Sequence, residues 1–159
     1  MRNESSLTTV WQLDGTITEV CGILTDALHL PDWWGEVYLA TSLLSAGDQN
    51  GIGRQIAVHS KGRLPYGLHW TATLVESDSP KRWLIAASGD LTGWGEWRLA
   101  ENGKTVEARY EWHVTADKPI LRVLSPVLAP VFAWNHRWAM AKGETGLQRE
   151  LVRRRPLAA

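Results

Sequence analysis

Residues 119–151 read PILRVLSPVLAPVFAWNHRWAMAKGETGLQREL, and this segment determines how the rest of the chain is interpreted. Its apolar residues recur at steps of three and four, which predicts one long helix with a covered face. The members of that predicted face are Leu121, Leu124, Leu128, Val131, Phe132, Asn135 and Trp138. Asn135 is the polar member, and burying an amide without a partner is costly. We therefore expect Asn135 either to join a buried hydrogen-bond network or to anchor a ligand.

The chain before this helix has the pattern of a sheet. Residues 7–13 alternate as a first strand, and the sequence TITE at 16–19 predicts a capping box that begins a helix. A short second helix is predicted to start at Pro31 and to hold Trp33 and Trp34. From residue 35 to 115 the apolar period becomes two, with frequent turn residues, which predicts about six further strands.

This order of elements predicts an α+β fold, with the helices segregated from one antiparallel sheet. Such a sheet has one face to cover, and the C-terminal helix is the predicted element long enough to cover it. The chain has 159 residues and is expected to form a single domain. Residues 1–6 and 153–159 are expected to be frayed.

Charge and hydropathy exclude several classes of partner. The chain has 17 basic and 17 acidic residues, so no overall positive field attracts nucleic acid. The most apolar run, residues 120–134, is interrupted by an arginine and two prolines, so stable membrane insertion is not expected. The first ten residues lack the apolar core of a signal peptide, and a cytoplasmic protein is expected.

Metal and cofactor motifs are missing from the sequence. The five histidines form no HxxxH or HxH pair, and Cys21 is the single cysteine. The glycines of GDLTGWG at 89–95 lack the order of a phosphate-binding loop and precede a predicted strand. The sequence therefore predicts neither a metal site nor a cofactor.

Two polar residues, Asp90 and Arg54, each have two interpretations. Asp90 is either a base in a cavity or a turn residue that accepts from backbone amides, and we favour the turn. His69 and His113 fall on polar strand faces and are expected to be solvent-exposed. Arg54 shares a predicted strand face with Ile56, so it either pairs with a ligand carboxylate or extends its head group into solvent at the sheet edge.

Aromatic residues dominate the faces predicted to point inward. The chain has ten tryptophans but one phenylalanine and three tyrosines. The predicted inward residues of the strands are Trp70, Trp97, Tyr110 and Trp112, and those opposite them on the helix are Leu128, Phe132, Asn135 and Trp138. This composition is typical of a small-molecule pocket and equally of a dry core.

Five segments in this order resemble one superfamily. They are PDWW at 31–34, LPY at 64–66, GDLTGWGEW at 89–97, YEW at 110–112 and NHRWAMAKGETGL at 135–147. The chain resembles the START-like helix-grip (SRPBCC) superfamily, and within it the polyketide cyclase/dehydrase-like bacterial members. The resemblance implies a curved sheet that grips the long helix around a deep cavity. The superfamily shares this cavity but no universal catalytic set, so the resemblance says little about chemistry.

Two functions from different classes follow. The first is binding of a hydrophobic small molecule such as a polyketide, a lipid or an aromatic compound. The second is a cyclase or dehydratase acting on a polyketide-like substrate, with Tyr110 as the first candidate for moving protons, His136 as the second and Asp90 as a further one. Binding is placed first because the sequence shows no unambiguous titratable group inside the cavity. A third candidate function is a co-chaperone-like interaction module. Other members of the superfamily are its only precedent.

Overall fold

The chain folds as one curved antiparallel sheet and a long C-terminal helix. The computed structural model describes the backbone of residues 4–63, 66–116 and 119–155, and the side chains of residues 6–63, 66–115 and 130–155. The strands are β1 (Glu4–Asp14), β2 (Tyr38–Ser45), β3 (Gln55–Lys61), β4 (Gly67–Asp78), β5 (Arg82–Gly89), β6 (Leu91–Asn102) and β7 (Thr105–Ala116). The helices are α1 (Ile17–Leu24), α2 (Leu30–Trp33) and α3 (Pro119–Arg154), and a 3₁₀ turn (Ala27–His29) precedes α2.

The order of the strands in the sheet largely follows their order along the chain. Within the described residues, seven strands lie in the order β1-β7-β6-β5-β4-β3-β2, and each neighbouring pair is antiparallel. Strands β2 to β7 are sequential hairpins, while β1 pairs with β7 at the far edge. The predicted α+β fold, with two short helices after the first strand, is confirmed.

Helix α1 begins with the predicted capping box. Thr16 Oγ1 accepts from the backbone N–H of Glu19 at 3.1 Å, and Glu19 Oε1 accepts from the backbone N–H of Thr16 at 2.9 Å. Two amide groups that the helix leaves unpaired are thereby satisfied. The other oxygen of Glu19 accepts from Arg155 Nε at 3.1 Å, so this helix start is also tied to the end of α3.

Strand β3 begins three residues later than the pattern indicated. The alternation of apolar residues over 52–59 predicts a strand there, and the structure has it over Gln55–Lys61. Gly51 and Gly53 have φ angles of 82° and 85°, a conformation that glycine adopts without steric cost. The backbone N–H of Arg54 donates to the carbonyl of Gly51 at 3.1 Å, so the chain turns here before it extends.

The covered face of α3 differs in part from the predicted one. Val131 is 36% exposed, whereas Gly143, Leu147 and Leu151 are buried. A Cβ on Gly143 would lie 2.5 Å from the Trp34 ring, so this glycine lets the helix approach the indole closely. Among the described members of the predicted face, Val131 is the exposed one, and the covered face continues to Gly143, where the close approach requires glycine. The side chains of Leu121, Leu124 and Leu128 lie outside the described residues.

Tryptophans fill the centre of the concave face of the sheet. The rings of Trp11 and Trp34 have centroids 5.4 Å apart, and those of Trp11 and Trp97 are 5.0 Å apart. Trp34 Nε1 donates to the carbonyl of Ala139 at 2.9 Å, which attaches this cluster to α3. Trp97 contacts Trp83 on one side, at 6.4 Å between centroids, and Tyr110 on the other, at 4.4 Å.

Residues near both ends of the described chain belong to regular elements. Residues 4–6 belong to β1, and residues 153 and 154 belong to α3. Backbone pairing with β7 fixes the start of β1. Arg153 and Arg154 both pair with Glu150, at 2.5 and 2.9 Å, which stabilises the last helical turn. No helix in the described part of the chain is long and apolar enough to cross a membrane.

Candidate functional site

A cavity of about 160 Å³ lies between the concave face of the sheet and helix α3. Strands β3, β4 and β7 form one wall, and α3 forms the other. Aromatic and aliphatic side chains make up most of the lining. The polar side chains in the lining are Tyr38, Ser60, Lys61, Tyr66, Tyr110, Asn135 and His136. Lys61 is exposed, and among the described lining residues it carries the one permanent charge.

The structure brings most of the predicted site residues together. The predicted residues that line the cavity are Trp70, Tyr110, Trp112, Phe132, Asn135 and His136. Trp97 is buried behind the wall, where it stacks on Tyr110. Trp138 lies outside the lining and packs against the Arg63 guanidinium, 5.5 Å from its ring centroid. The side chain of Leu128 lies outside the described residues.

The aromatic wall depends on a glycine. Tyr110 and Trp112 have ring centroids 5.6 Å apart, and Trp112 lies 5.7 Å from Trp70. Gly95 pairs with Trp112 across the ladder, and a Cβ there would lie 2.6 Å from Tyr110 Oη. The absence of a side chain at Gly95 therefore creates the space that the Tyr110 ring and hydroxyl occupy.

One lining residue fixes the orientation of another. Trp70 Nε1 donates to Ser60 Oγ at 3.0 Å, and both side chains are buried. Sequence reasoning missed Ser60, although this residue continues the alternation of Ile56 and Val58 on the inward face of β3.

Sequence reasoning also missed Tyr38, because the apolar periodicity did not define the limits of its strand. Burial raises the pKa of Tyr38 to about 12, so its phenol stays neutral at physiological pH.

Asn135 has a backbone partner at the edge of the cavity. Its Oδ1 accepts from the backbone N–H of Arg63 at 2.7 Å. A Cβ on Gly62 would collide with the Asn135 amide, so the segment at 62–63 lies directly against α3. Asn135 therefore has a backbone partner and also lines the cavity.

His136 presents an unpaired nitrogen in the cavity region. Its Nε2 is buried and has no hydrogen-bond partner in the described part of the protein. Burial lowers the pKa of His136 to about 4, so the imidazole is neutral at physiological pH. Burial also raises the pKa of Tyr110 well above its usual range, with Tyr38 adding to the effect, so its hydroxyl remains a hydrogen-bond donor. The two catalytic candidates are thus both uncharged groups of the cavity wall.

Other polar candidates lie away from this cavity. Asp90 Oδ2 accepts from the backbone N–H of His69 at 2.9 Å, as expected for a turn residue. His69 is exposed, as predicted, whereas His113 is partly covered because it stacks on Trp94 at 4.2 Å. In residues 4–63, 66–116 and 119–155, no three His, Cys, Asp or Glu side chains are arranged to hold a metal ion.

The comparisons with known proteins agree with this geometry. Solved structures with the same fold include the Zhui aromatase/cyclase from Streptomyces sp. R1128, with a TM-score of 0.77 at 12% identity and 98% of each chain covered. A START superfamily protein from Mycobacterium smegmatis has a TM-score of 0.76 at 10% identity, over 93% of this chain and 97% of that one. Norcoclaurine synthase from Thalictrum flavum has a TM-score of 0.62 at 11% identity, over 96% and 89%. At these identities the likeness shows the fold alone.

Sequence comparison identifies the family. No curated protein matches the chain in sequence. Residues 5–152 match the family described as polyketide cyclase/dehydrase and lipid transport, and this span includes every residue that lines the cavity. The resemblance that the five sequence segments indicated is therefore confirmed, and the chain belongs to the polyketide cyclase/dehydrase and lipid transport family.

Proposed function

We propose that the protein binds a small aromatic molecule carrying one hydroxyl or carbonyl group in the cavity beside α3. The observation that carries this proposal is the buried, unpartnered Nε2 of His136 in a predominantly apolar enclosure. A buried polar atom without a partner is costly, and a ligand that supplies the missing hydrogen bond removes that cost.

The size of the cavity supports a compact ligand. An apolar protein cavity of about 150 Å³ holds benzene, and this cavity measures about 160 Å³. Stacking on Trp70 and Trp112 favours a flat ring over a flexible chain. Norcoclaurine synthase, which has the same fold, is described in complex with dopamine and hydroxybenzaldehyde, each of which contains a single aromatic ring.

The buried polar groups of the wall favour a neutral ligand, and Lys61, the one charged residue of the described lining, is exposed to solvent. The imidazole of His136 and the phenol of Tyr110 are uncharged at physiological pH, and neither offers a counter-ion. Tyr110 donates a hydrogen bond, and His136 donates or accepts according to its tautomer. A hydroxyl or carbonyl group satisfies these atoms, whereas a carboxylate would enter the cavity at the cost of its hydration.

A cyclase or dehydratase activity is the second candidate function. Tyr110 supports it as a hydrogen-bond donor that could hold a substrate carbonyl, because a phenol with a raised pKa keeps its proton throughout the physiological range. His136 gives weaker support to this activity as a general base. An efficient base has a pKa near the working pH, and the pKa of His136 is about 4. Ligand binding without turnover therefore remains the first proposal, as it was from the sequence.

The test compares two ligands that differ by one hydroxyl group. We expect p-cresol to bind saturably and more tightly than toluene, with shifts of the Trp70 indole N–H in ¹H–¹⁵N NMR spectra. His136→Leu is expected to weaken p-cresol binding by about threefold to tenfold, the value of one hydrogen bond, and to leave toluene binding unchanged. Arg137→Gln, at the exposed neighbouring position on α3, is the matched control and should alter neither affinity.

Two results would contradict the proposal. One is the absence of saturable shifts with both compounds. The other is an equal loss of p-cresol and toluene affinity in His136→Leu, which would mean that the substitution changed the shape of the cavity and removed no hydrogen bond to the ligand.

A further inference from the structure

A second cavity, of about 290 Å³, lies at the opposite end of the concave face. It is bounded by the end of α1 and the following turn on one side and by β3, β4 and β5 on the other. The two cavities share no lining residue. Trp97 stands between them, because it contacts Trp83 of the second cavity and Tyr110 of the first.

Arg54 is the one charged residue among the described lining of this second cavity. Its backbone is held in place on both sides, since its N–H donates to Gly51 at 3.1 Å and its carbonyl accepts from Leu74 at 3.0 Å. The side chain lies in the same wall as Ile56, two residues along the chain. Its Nε is buried and has no hydrogen-bond partner, and no carboxylate in the described residues pairs with the guanidinium.

This unpaired arginine contrasts with the other partly buried charges of the protein. Arg82 pairs with Glu96 at 2.7 Å, and Arg154 pairs with Glu150 at 2.9 Å. A guanidinium is charged at physiological pH, so burying part of one in an apolar wall is costly. A partly buried charge without a counter-ion is unfavourable to the folded state, and a bound anion would relieve it.

We propose that this second cavity is a binding site for a small apolar carboxylate, with the carboxylate paired to Arg54. The planar guanidinium binds a carboxylate through two parallel hydrogen bonds, which fixes both the charge and the orientation of a ligand. The hydroxyl group of Ser77 lines the same cavity and is a further donor. The site is distinct from the cavity beside α3 and does not depend on its occupancy.

The rest of the lining defines the body of the ligand. Apart from Arg54 and a few small polar residues, the wall is made of Leu24, Leu74, Trp83 and other apolar side chains. The volume of about 290 Å³ is nearly twice the ~150 Å³ that accommodates benzene, so it has room for a chain of about eight carbon atoms. Octanoate therefore matches both the charge and the size of this site.

The experiment compares octanoate with 1-octanol, which has the same chain and no charge. Binding is followed by calorimetry and by the indole N–H signals of Trp83 and Trp70, which line the second and the first cavity respectively. We expect octanoate to shift Trp83 saturably and to bind at least tenfold more tightly than 1-octanol. Arg54→Gln should reduce octanoate affinity by at least tenfold and leave 1-octanol affinity unchanged. Arg149→Gln, an exposed arginine on α3, is the matched control and should change neither.

A second variant and a stability measurement separate binding from folding. Ala72→Leu places a larger side chain in the wall of the second cavity, and it should reduce binding of both octanoate and 1-octanol. Arg54→Gln without ligand should melt at the same temperature as the wild type or higher, because an uncompensated charge is removed.

Four outcomes would overturn the proposal. They are the absence of saturable octanoate binding, shifts of Trp70 in place of Trp83, equal affinity for octanoate and 1-octanol, and a lower melting temperature of Arg54→Gln with unchanged octanoate affinity. None of them bears on p-cresol binding in the first cavity, so failure of this proposal and failure of the proposed function are distinguishable.

Discussion

Asn135 Oδ1 and the backbone N–H of Arg63 form a hydrogen bond of 2.7 Å that joins helix α3 to the segment following β3. The two partners are 72 residues apart in the chain, so the bond exists only when the helix lies across the sheet. Arg63 also places its guanidinium 5.9 Å from the ring centroid of Trp134 and 5.5 Å from that of Trp138. The main chain and the side chain of Arg63 therefore both hold this segment against α3.

Replacing Asn135 by leucine should lower the free energy of unfolding by about 1 kcal/mol, the usual value of one intramolecular hydrogen bond. Asn135→Asp keeps the acceptor and is expected to be closer to the wild type. Urea denaturation measures both effects. Titration of the same variants with p-cresol shows whether Asn135 also contacts the ligand: a loss of stability at unchanged affinity would restrict it to a structural role.

Stability should depend on pH through His136. Burial lowers the pKa of this imidazole from 6.5 to about 4, so between these values the unfolded chain binds a proton that the folded protein excludes. The free energy of unfolding therefore rises with pH across this window, by roughly 3 kcal/mol at most, and is constant above it as far as His136 is concerned. His136→Gln should remove this slope, whereas the exposed His69→Gln should retain it.

Glu150 provides an independent acid-labile contribution. The hydrogen bond from Arg153 lowers the pKa of Glu150 to about 2. Because the folded pKa is below the unfolded one, its stabilisation is present above pH 4.5 and is lost as the pH falls towards 2. The wild type and His136→Gln should therefore lose this contribution equally below pH 4. A slope between about pH 5 and pH 6.5 that is as steep in His136→Gln as in the wild type would contradict the assignment to His136.

A methyl group at residue 143 should interfere with the seating of α3. The added Cβ would lie 2.5 Å from the Trp34 ring and 2.8 Å from Trp11, and both rings are buried. We expect Gly143→Ala to cost about 2 kcal/mol, as for other overpacked cores. Gly22→Ala is the matched control: it lies in α1 with nothing within 4 Å of the added Cβ. Helix propensity predicts that it stabilises the protein by up to about 1 kcal/mol. Equal stabilities of the two variants in urea would refute the close approach of α3.

Tyr110→Phe separates binding from turnover. Phenylalanine keeps the ring that stacks on Trp97 at 4.4 Å, so the free energy of unfolding should change by less than about 1 kcal/mol. Loss of the hydroxyl should weaken p-cresol binding by about threefold to tenfold. If the protein turns over a polyketide-like substrate with Tyr110 as proton donor, kcat should fall by about 100-fold or more. Full turnover in both Tyr110→Phe and His136→Ala would exclude these residues as proton donors or acceptors in catalysis.

The class of fold is readable from the amino-acid sequence. The change of apolar period from three and four to two, and the hairpin turns between strands, depend on neighbours close in the chain and are readable without tertiary contacts. The capping box at Thr16 and Glu19 is local for the same reason. The inward placement of Trp70, Tyr110 and Trp112 followed from alternation along single strands. The family resemblance favoured a cavity over a dry core. No pattern of residue spacing in the sequence did so.

The tertiary structure alone decided which residues of α3 face the sheet and which polar groups meet in a cavity. Periodicity along a helix shows which residues share a face, but it does not show how the helix is rotated about its axis against the sheet. Gly143 and Gly146 determine that rotation, because their lack of a side chain leaves room for Trp34 and Trp33. The partner of Asn135 is a backbone amide, which no side-chain pattern specifies. The unpaired state of His136 and of Arg54 depends on the burial of their nitrogens and on which residues lie around them. Burial and proximity between distant segments are properties of the packed chain, so the sequence named these residues as candidates and the fold determined their surroundings.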